Sequence, residues 1–162
     1  MNTLPRLQHA QLSSELFKKL ADLNMAVVRR GHVDVGLLHL VDIRASQLNG
    51  CAFCLDMHSK QAKLHGEREL RLYHLPVWRE SPLFSPRERA ALAWTEALTR
   101  LAPGGIPDAL YAELREQFSE TELSDLTYQV MLINAWNRAG VAFLTPPGSL
   151  DKPYGLDKAG LA

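Results

Sequence analysis

Apolar residues recur at helical spacing along most of the chain, whereas strand patterns are nearly absent. No sustained alternation of β-branched and polar residues occurs, and no Asn-Gly turn lies between two such runs. Gly31 is well placed to end a first helix. The apolar stripe of that helix comprises Leu12, Leu16, Leu20, Leu23 and Val27.

Two further helices are predicted before the middle of the chain. Asp34 can cap the second helix, and Asn49-Gly50 ends it. The inner face of this helix is expected to carry Leu37, Leu40, Val41, Ala45 and Leu48. A third helix begins near Cys51, with Gly66 as its stop, and a short helix is expected around Glu67 to His74.

The second half contains two capping boxes. Ser85 to Glu88, with Pro86 at the first helical position, starts one helix, and Ser119 to Glu122 starts a long one. A helix opened by Pro107 lies between them. The buried positions are expected to be Ala90, Trp94, Ala97, Leu98 and Leu101 in the first, and Leu123, Leu126, Val130, Ile133 and Val141 in the long one. The pattern predicts a single compact all-α domain of six or seven helices over residues 1–145 and an irregular tail over 146–162.

Composition narrows the class of partner. The 162 residues, 46% hydrophobic and 22% charged, are typical of one globular domain. Eighteen basic and eighteen acidic residues cancel, so no general field attracts nucleic acid or an anionic membrane. No apolar run approaches the roughly 20 residues of a bilayer span, and Met1 to Ala10 lack a signal-peptide core. We expect a cytoplasmic protein with a small neutral or amphiphilic substrate.

The chain has only two cysteines, Cys51 and Cys54, and His58 follows them at helical spacing. On a helix, positions i, i+3 and i+7 share a face. If Asn49 caps that helix, both thiols lie near its N-terminus, where the dipole favours thiolates. The spacing predicts an accessible, readily ionised Cys54 that an oxidant converts to a sulfenic acid, with Cys51 resolving it to a disulfide and His58 exchanging protons.

Other interpretations of the same residues stay open. Both sulfurs fall on an apolar stripe, so the cysteines can simply pack in the core. A metal site is less favoured, because Cys51 and His58 are separated by roughly 10 Å along a helix axis. Zinc would need ligands from elsewhere, and His39 on the preceding helix is a candidate. A thioredoxin fold would need a βαβ context that is missing.

The segment from Ser46 to His58 resembles the signature of the carboxymuconolactone decarboxylase superfamily, in its alkylhydroperoxidase AhpD-like branch. The resemblance extends from about Leu37 through Arg138. It implies an all-α fold that assembles as homotrimers or homohexamers, and thiol peroxidase activity toward hydrogen peroxide or organic hydroperoxides. No bound cofactor is implied, and electrons would come from a dithiol donor such as a lipoyl or thioredoxin-type protein.

By this resemblance Cys54 corresponds to the attacking thiol, Cys51 to the resolving thiol and His58 to the base of the proton relay. Two positions depart from the best-known members: His39 stands in place of a glutamate, and Phe53 in place of a histidine. His39 can relay protons but holds no fixed negative charge. Phe53 makes the pocket more apolar, which suits a hydrophobic hydroperoxide.

The sequence therefore predicts a thiol-dependent peroxidase with Cys54, Cys51, His58 and His39 at its site. Two alternatives remain. A decarboxylase-type lyase of the same superfamily has no need of paired cysteines. A redox-sensing protein would use the disulfide to change shape or partner affinity without catalytic turnover.

Overall fold

A computed structural model describes residues 4–161, and every regular element among them is helical. The predicted all-α single domain is confirmed. Helices α2 to α8 are the seven predicted ones, and the additional α1 and α9 have four residues each. None of the helices in the described range is long and apolar enough to cross a membrane. The bounds are α1 His9–Leu12, α2 Ser14–Arg30, α3 Val35–Asn49, α4 Ala52–Leu64, α5 Glu69–His74, α6 Pro86–Thr99, α7 Asp108–Gln117, α8 Glu120–Phe143 and α9 Asp151–Tyr154, with 3₁₀ turns at Leu75–Val77 and Leu156–Ala159.

Helix α3 lies at the centre of the domain, against α4, α6 and α8. The Asp34 side chain caps it by accepting hydrogen bonds from the backbone N–H groups of Gly36 and Leu37, at 2.9 and 3.2 Å. Gly50, with φ of 67°, ends it in the left-handed conformation that glycine adopts without strain. Every α3 side chain from position 37 to 43 is buried, so even its polar residues face the core.

Both predicted capping boxes are present. The Glu88 side chain accepts from the Ser85 backbone N–H at 2.7 Å, and the Ser85 hydroxyl accepts from the Glu88 backbone N–H at 3.3 Å. Ser119 and Glu122 repeat the arrangement at 2.8 and 3.3 Å. These reciprocal bonds satisfy N–H groups that a helix start leaves unpaired. The starts of α6 and α8 follow directly from local sequence.

Two residues that were predicted to be buried in the core are exposed. Leu101 is 68% exposed, because α6 ends at Thr99 and the residue lies beyond the helix. Val141, predicted on the inner face of α8, is 43% exposed.

Helix α6 packs against α3, α7 and α8. It therefore buries more than one face, and Leu92 and Thr95 are among its buried residues.

Helix α2 ends at Gly31 as predicted, but Leu12 of the predicted stripe lies in α1, and the rest of the stripe is largely exposed within one chain. Leu16 is 68% exposed and Leu23 is 45% exposed, while Val27 is the single buried residue of the helix. The helix packs mainly on α8, where Phe17 meets Trp136 edge-on with ring centroids 5.0 Å apart. An apolar surface therefore remains on the outside of α2.

The C-terminal segment packs on α4. Leu156 and Ala159 of its 3₁₀ turn are buried. The Lys60 ammonium, on α4, lies 2.7 Å from Asp151 and 2.8 Å from Asp56. Helix α4, which carries the cysteine motif, is thus enclosed by α3 and α8 on the inside and by the C-terminal segment on the outside.

Candidate active site

The two cysteines lie at the turn between α3 and α4. Cys51 is the N-cap residue of α4, and its sulfur accepts a hydrogen bond from the Cys54 backbone N–H at 3.3 Å. The two sulfurs are free thiols 2.6 Å apart and share a hydrogen bond. The expectation that Asn49 caps this helix is wrong, because Asn49 is the last residue of α3.

Asn49 instead ties the end of α3 to α8. Its side-chain amide donates to Asn134 Oδ1 at 3.0 Å and to Asn137 Oδ1 at 2.9 Å. The Asn137 amide in turn donates to the Ser46 hydroxyl at 3.0 Å. Asn137 is fully buried, and its amide lowers the pKa of both thiols. This amide network holds the loop that positions the thiols.

The electrostatics of the pair differ from the expectation. The hydrogen bond from Cys54 lowers the pKa of Cys51 to about 7 from its ordinary value of 9.0, against the opposing effect of burial. The same contact, together with burial, raises the pKa of Cys54. The resting negative charge therefore belongs on Cys51. Cys54 is also only 1% exposed and Cys51 2%, so the prediction of an accessible, readily ionised Cys54 is wrong for the single chain.

His58 lies beside a buried carboxyl group that sequence reasoning missed. Its Nδ1 is 3.5 Å from Asp42 Oδ2 of α3. The Gln129 amide donates to the other oxygen, Asp42 Oδ1, at 2.7 Å. Burial raises the pKa of Asp42 to about 8 and lowers the pKa of His58 to about 4. No hydrogen bond joins His58 to either sulfur within residues 4–161.

His39 lies in the same buried region and contacts a histidine at the surface. It lies one turn before Asp42 on α3, and its Nε2 is 3.0 Å from Nδ1 of His65, which is exposed. Burial and the charges of His58 and His65 lower the pKa of His39 to about 4. His65 borders a surface cavity of about 470 Å³ that is also lined by Arg68 and Arg71.

The structure thus brings His39 and His58 together around Asp42, next to a sulfur pair on the same helix as His58. When ionised, Asp42 adds a small further increase to the pKa of Cys54. One sequence signal could have found Asp42, since it lies at i+3 from His39 and shares its helix face. Nothing in the spacing indicated His65, because its contact depends on how α3 and α4 pack.

The comparisons with known proteins identify the family of the chain. The model of the carboxymuconolactone decarboxylase family matches residues 14–97. The chain belongs to that family. Its cysteine motif and fold place it in the AhpD-like branch.

Relatives cover most of the chain. The uncharacterized protein YdfG of Bacillus subtilis is 36% identical over 85% of this chain and 92% of its own. A structure from Agrobacterium tumefaciens, a protein of unknown function named as a candidate antioxidant defence protein AhpD, is 38% identical. It covers 88% of this chain and 97% of its own, with a TM-score of 0.84. A peroxidase-related protein of Ralstonia eutropha shares the fold at 20% identity, with a TM-score of 0.76 over 90% of this chain and 77% of its own.

Proposed function

We propose that this protein is a thiol-dependent peroxidase that reduces hydroperoxides through a disulfide cycle between Cys54 and Cys51. The observation that carries the proposal is the 2.6 Å contact between two free sulfurs at the start of α4. A disulfide has an S–S distance near 2.05 Å, so a small side-chain movement is enough to form the bond.

The pair can generate its own nucleophile. Because the resting charge lies on Cys51, that thiolate can accept the Cys54 proton across the shared hydrogen bond. Cys54 then becomes the thiolate that attacks, while Cys51 holds the proton. This transfer is short and needs no movement of the backbone. With this proton transfer, Cys54 can be the attacking thiol, as the family resemblance implies, although Cys51 has the lower pKa.

The proposed reaction balances as follows. The Cys54 thiolate attacks the terminal oxygen of ROOH, the O–O bond breaks, and RO⁻ takes a proton relayed from solvent to leave as ROH. Cys54 is now a sulfenic acid. The Cys51 sulfur attacks the Cys54 sulfur, the S–O bond breaks, and the hydroxyl group leaves with a proton as water. The resulting disulfide is reduced by a dithiol donor, which is itself oxidised to a disulfide.

Proton movement is assigned to the buried polar groups beside the thiols. His58 is the proposed base that takes the proton from Cys51 before the Cys51 sulfur attacks the sulfenic acid. Asp42, 3.5 Å from His58 Nδ1, supplies the carboxyl group that is missing at position 39. His39 contacts His65 at 3.0 Å, and His65 is exposed. The series His58, His39, His65 therefore offers a route between the site and solvent.

The surroundings of the thiols favour an apolar substrate. Phe53 and Trp136 pack, half-buried, against the cluster that contains both cysteines. Because both cysteines are almost fully buried, we expect a substrate to reach the sulfurs only when a neighbouring side chain moves. We expect faster turnover with a bulky organic hydroperoxide than with hydrogen peroxide. Equal or slower turnover with the organic substrate would remove the proposed preference but not the cycle.

We also propose a homotrimer or homohexamer in the cytoplasm. The exposed leucines of α2 and the apolar groove of about 260 Å³ between that helix and α8 support an oligomer, because single chains seldom expose such a surface. Light scattering on the purified protein measures the subunit number. A monomer at micromolar concentration would contradict this part of the proposal.

One observation favours a second candidate function. The burial of both sulfurs suits a redox sensor that is oxidised once and then changes its packing. A sensor and a peroxidase share the disulfide but differ in turnover. A decarboxylase-type lyase would ignore the oxidant.

Steady-state hydroperoxide consumption with excess small dithiol separates these functions. A peroxidase consumes many equivalents per chain, a sensor consumes one, and a lyase consumes none. Cys54→Ser should abolish turnover, and Cys51→Ser should stop after one event with a trapped sulfenic acid or mixed disulfide. Full activity in both variants would refute the proposed cycle.

A further inference from the structure

Two buried side chains and one partly buried side chain converge on one point beside the thiols. A ring nitrogen of His39, a ring nitrogen of His58 and a carboxylate oxygen of Asp42 lie within 4.8 Å of one another. His39 is only 8% exposed. His39 Nδ1 and His58 Nδ1 are buried and have no hydrogen-bond partner among the described protein groups. Buried ring nitrogens rarely stay unpaired without a functional reason.

Other polar atoms of these three side chains already interact with neighbouring residues. His39 Nε2 contacts His65 Nδ1 at 3.0 Å, and the Gln129 amide donates to Asp42 Oδ1 at 2.7 Å. The Gln61 side chain interacts with the His58 ring. His65 Nδ1 also lies 2.9 Å from the Gln61 carbonyl oxygen, to which it donates only when it carries the proton. With the His65 proton on Nε2 instead, His39 Nε2–H donates to His65 Nδ1 and His39 keeps a lone pair on Nδ1, so metal binding selects this tautomer. Outer hydrogen bonds of this kind orient metal ligands in proteins.

We propose that His39, Asp42 and His58 form a binding site for a divalent transition-metal ion of the zinc class, separate from the cysteine pair. Two imidazoles and one carboxylate are a ligand set that such ions accept, whereas Mg²⁺ and Ca²⁺ prefer oxygen ligands throughout. Zinc-ligand bonds of about 2.0–2.1 Å place tetrahedral ligands roughly 3.3 Å apart. The 3.5 Å between His58 Nδ1 and Asp42 Oδ2 is already close to that value.

The fold also supplies a route for entry. His65, which holds His39 from outside, lines the surface cavity that Glu67 and Glu88 border with two arginines. Glu67 and Glu88 are both paired with Arg71, so the exposed imidazole of His65 is the group through which we expect an ion to reach the site. A ligand set, an oriented outer shell and an entry path are the features that a metal site requires.

Metal binding and the proposed proton relay use the same atoms of His58 and Asp42. An ion at this site would therefore stop peroxidase turnover, a consequence that rests on the proposed function. The binding itself does not, because neither cysteine is a ligand.

The test uses the full chain with Cys51→Ser and Cys54→Ser, so that thiolates cannot bind the probe. Co²⁺ is titrated and followed by its visible absorption, and Zn²⁺ by calorimetry, with Mg²⁺ as the control ion. We expect about one Co²⁺ or Zn²⁺ per chain and no binding of Mg²⁺. Failure of this background protein to bind Co²⁺ or Zn²⁺ would overturn the proposal, whether or not the wild type is a peroxidase.

Added substitutions locate the ion. His39→Gln and Asp42→Asn should each weaken binding by at least about 100-fold, and His65→Gln by about 10-fold through the outer shell. His32→Gln, which alters an exposed histidine paired with Asp125, should change nothing. Circular dichroism checks folding, and His65→Gln on the surface keeps the test valid if a buried variant unfolds. Unchanged affinity in His39→Gln or in His65→Gln would refute the assignment.

Discussion

Gly140 of α8 lies directly behind the sulfur of Cys51. A Cβ atom at position 140 would be 2.8 Å from Cys51 Sγ and 3.5 Å from Cys54 Sγ. Real Cβ atoms do not approach sulfur at the first of these distances, so any side chain here must displace a thiol. The absence of a side chain lets α8 hold the sulfur pair in its mutual contact.

Gly140→Ala should therefore impair the thiol pair. We expect hydroperoxide turnover to fall by on the order of 10- to 100-fold, because displacing the Cys51 sulfur misaligns the bond-forming atoms. Gly104→Ala is the matched control, since a Cβ at position 104 meets nothing within 4 Å. Equal turnover in the two variants would show that the close approach has no role.

The pKa of Cys51, lowered to about 7, predicts how reactivity depends on pH. The thiolate fraction rises as pH increases through that value, so alkylation by iodoacetamide should accelerate between pH 6 and pH 8 and then level off. Cys51 has a pKa of about 7 in the folded state and 9.0 in the unfolded state. Its contribution to the free energy of unfolding therefore grows from pH 7 to pH 9 and is lost as the pH falls through 7. Cys51→Ser should abolish the inflection, and an inflection that persists would assign it to another group.

Asp42→Asn tests the buried carboxyl group. The amide keeps the size of the side chain and can still accept from Gln129, but it cannot exchange a proton with His58. Turnover, measured with a chelator present to remove metal ions, should fall by on the order of 100-fold, the lower range for general acid-base groups. Asp125→Asn is the control, because Asp125 is a buried carboxylate bound to Arg30 and His32. Normal turnover in Asp42→Asn would remove this residue from the relay.

Lys60 should anchor the C-terminal segment to α4. Its side chain is 9% exposed and bridges Asp56 and Asp151. Lys60→Met would leave the two carboxylates facing each other, and urea unfolding should show a loss of about 2 kcal/mol. Lys63→Met on the same helix breaks only an exposed pair with Glu69 and should have little effect. Similar unfolding midpoints for both variants would contradict the anchoring role.

Features set by a few adjacent residues could be predicted from sequence. The cap at Asp34 and the boxes at Ser85 and Ser119 are local hydrogen-bond patterns, and the structure has all three. The all-α class followed from the helical spacing, and the AhpD-like branch followed from the resemblance of the segment from Ser46 to His58. The ends of helices were harder to predict than their starts. Leu101 was expected in the core but lies beyond the end of α6, because the point at which a helix stops depends on contacts with residues distant in sequence.

The arrangement of the site could be predicted only in part. The spacing predicted that Cys51 and Cys54 lie in contact. It did not predict that Cys51 is the N-cap residue of α4, where the Cys54 backbone N–H donates to the Cys51 sulfur and favours a negative charge there. Asp42 and His65 come into contact with the predicted histidines only through the packing of α3 on α4. The roles of Cys54 and Cys51 stay proposals that the variants above test, and the roles of His58 and His39 stay proposals.

Mass spectrometry after one equivalent of an organic hydroperoxide tests the cysteine cycle most directly. The reduced protein should lose both free thiols and yield a single peptide pair linked through Cys51 and Cys54, with one alcohol formed per chain. Free thiols that survive the oxidant, or a Cys54 sulfenic acid that never reacts with Cys51, would contradict the account.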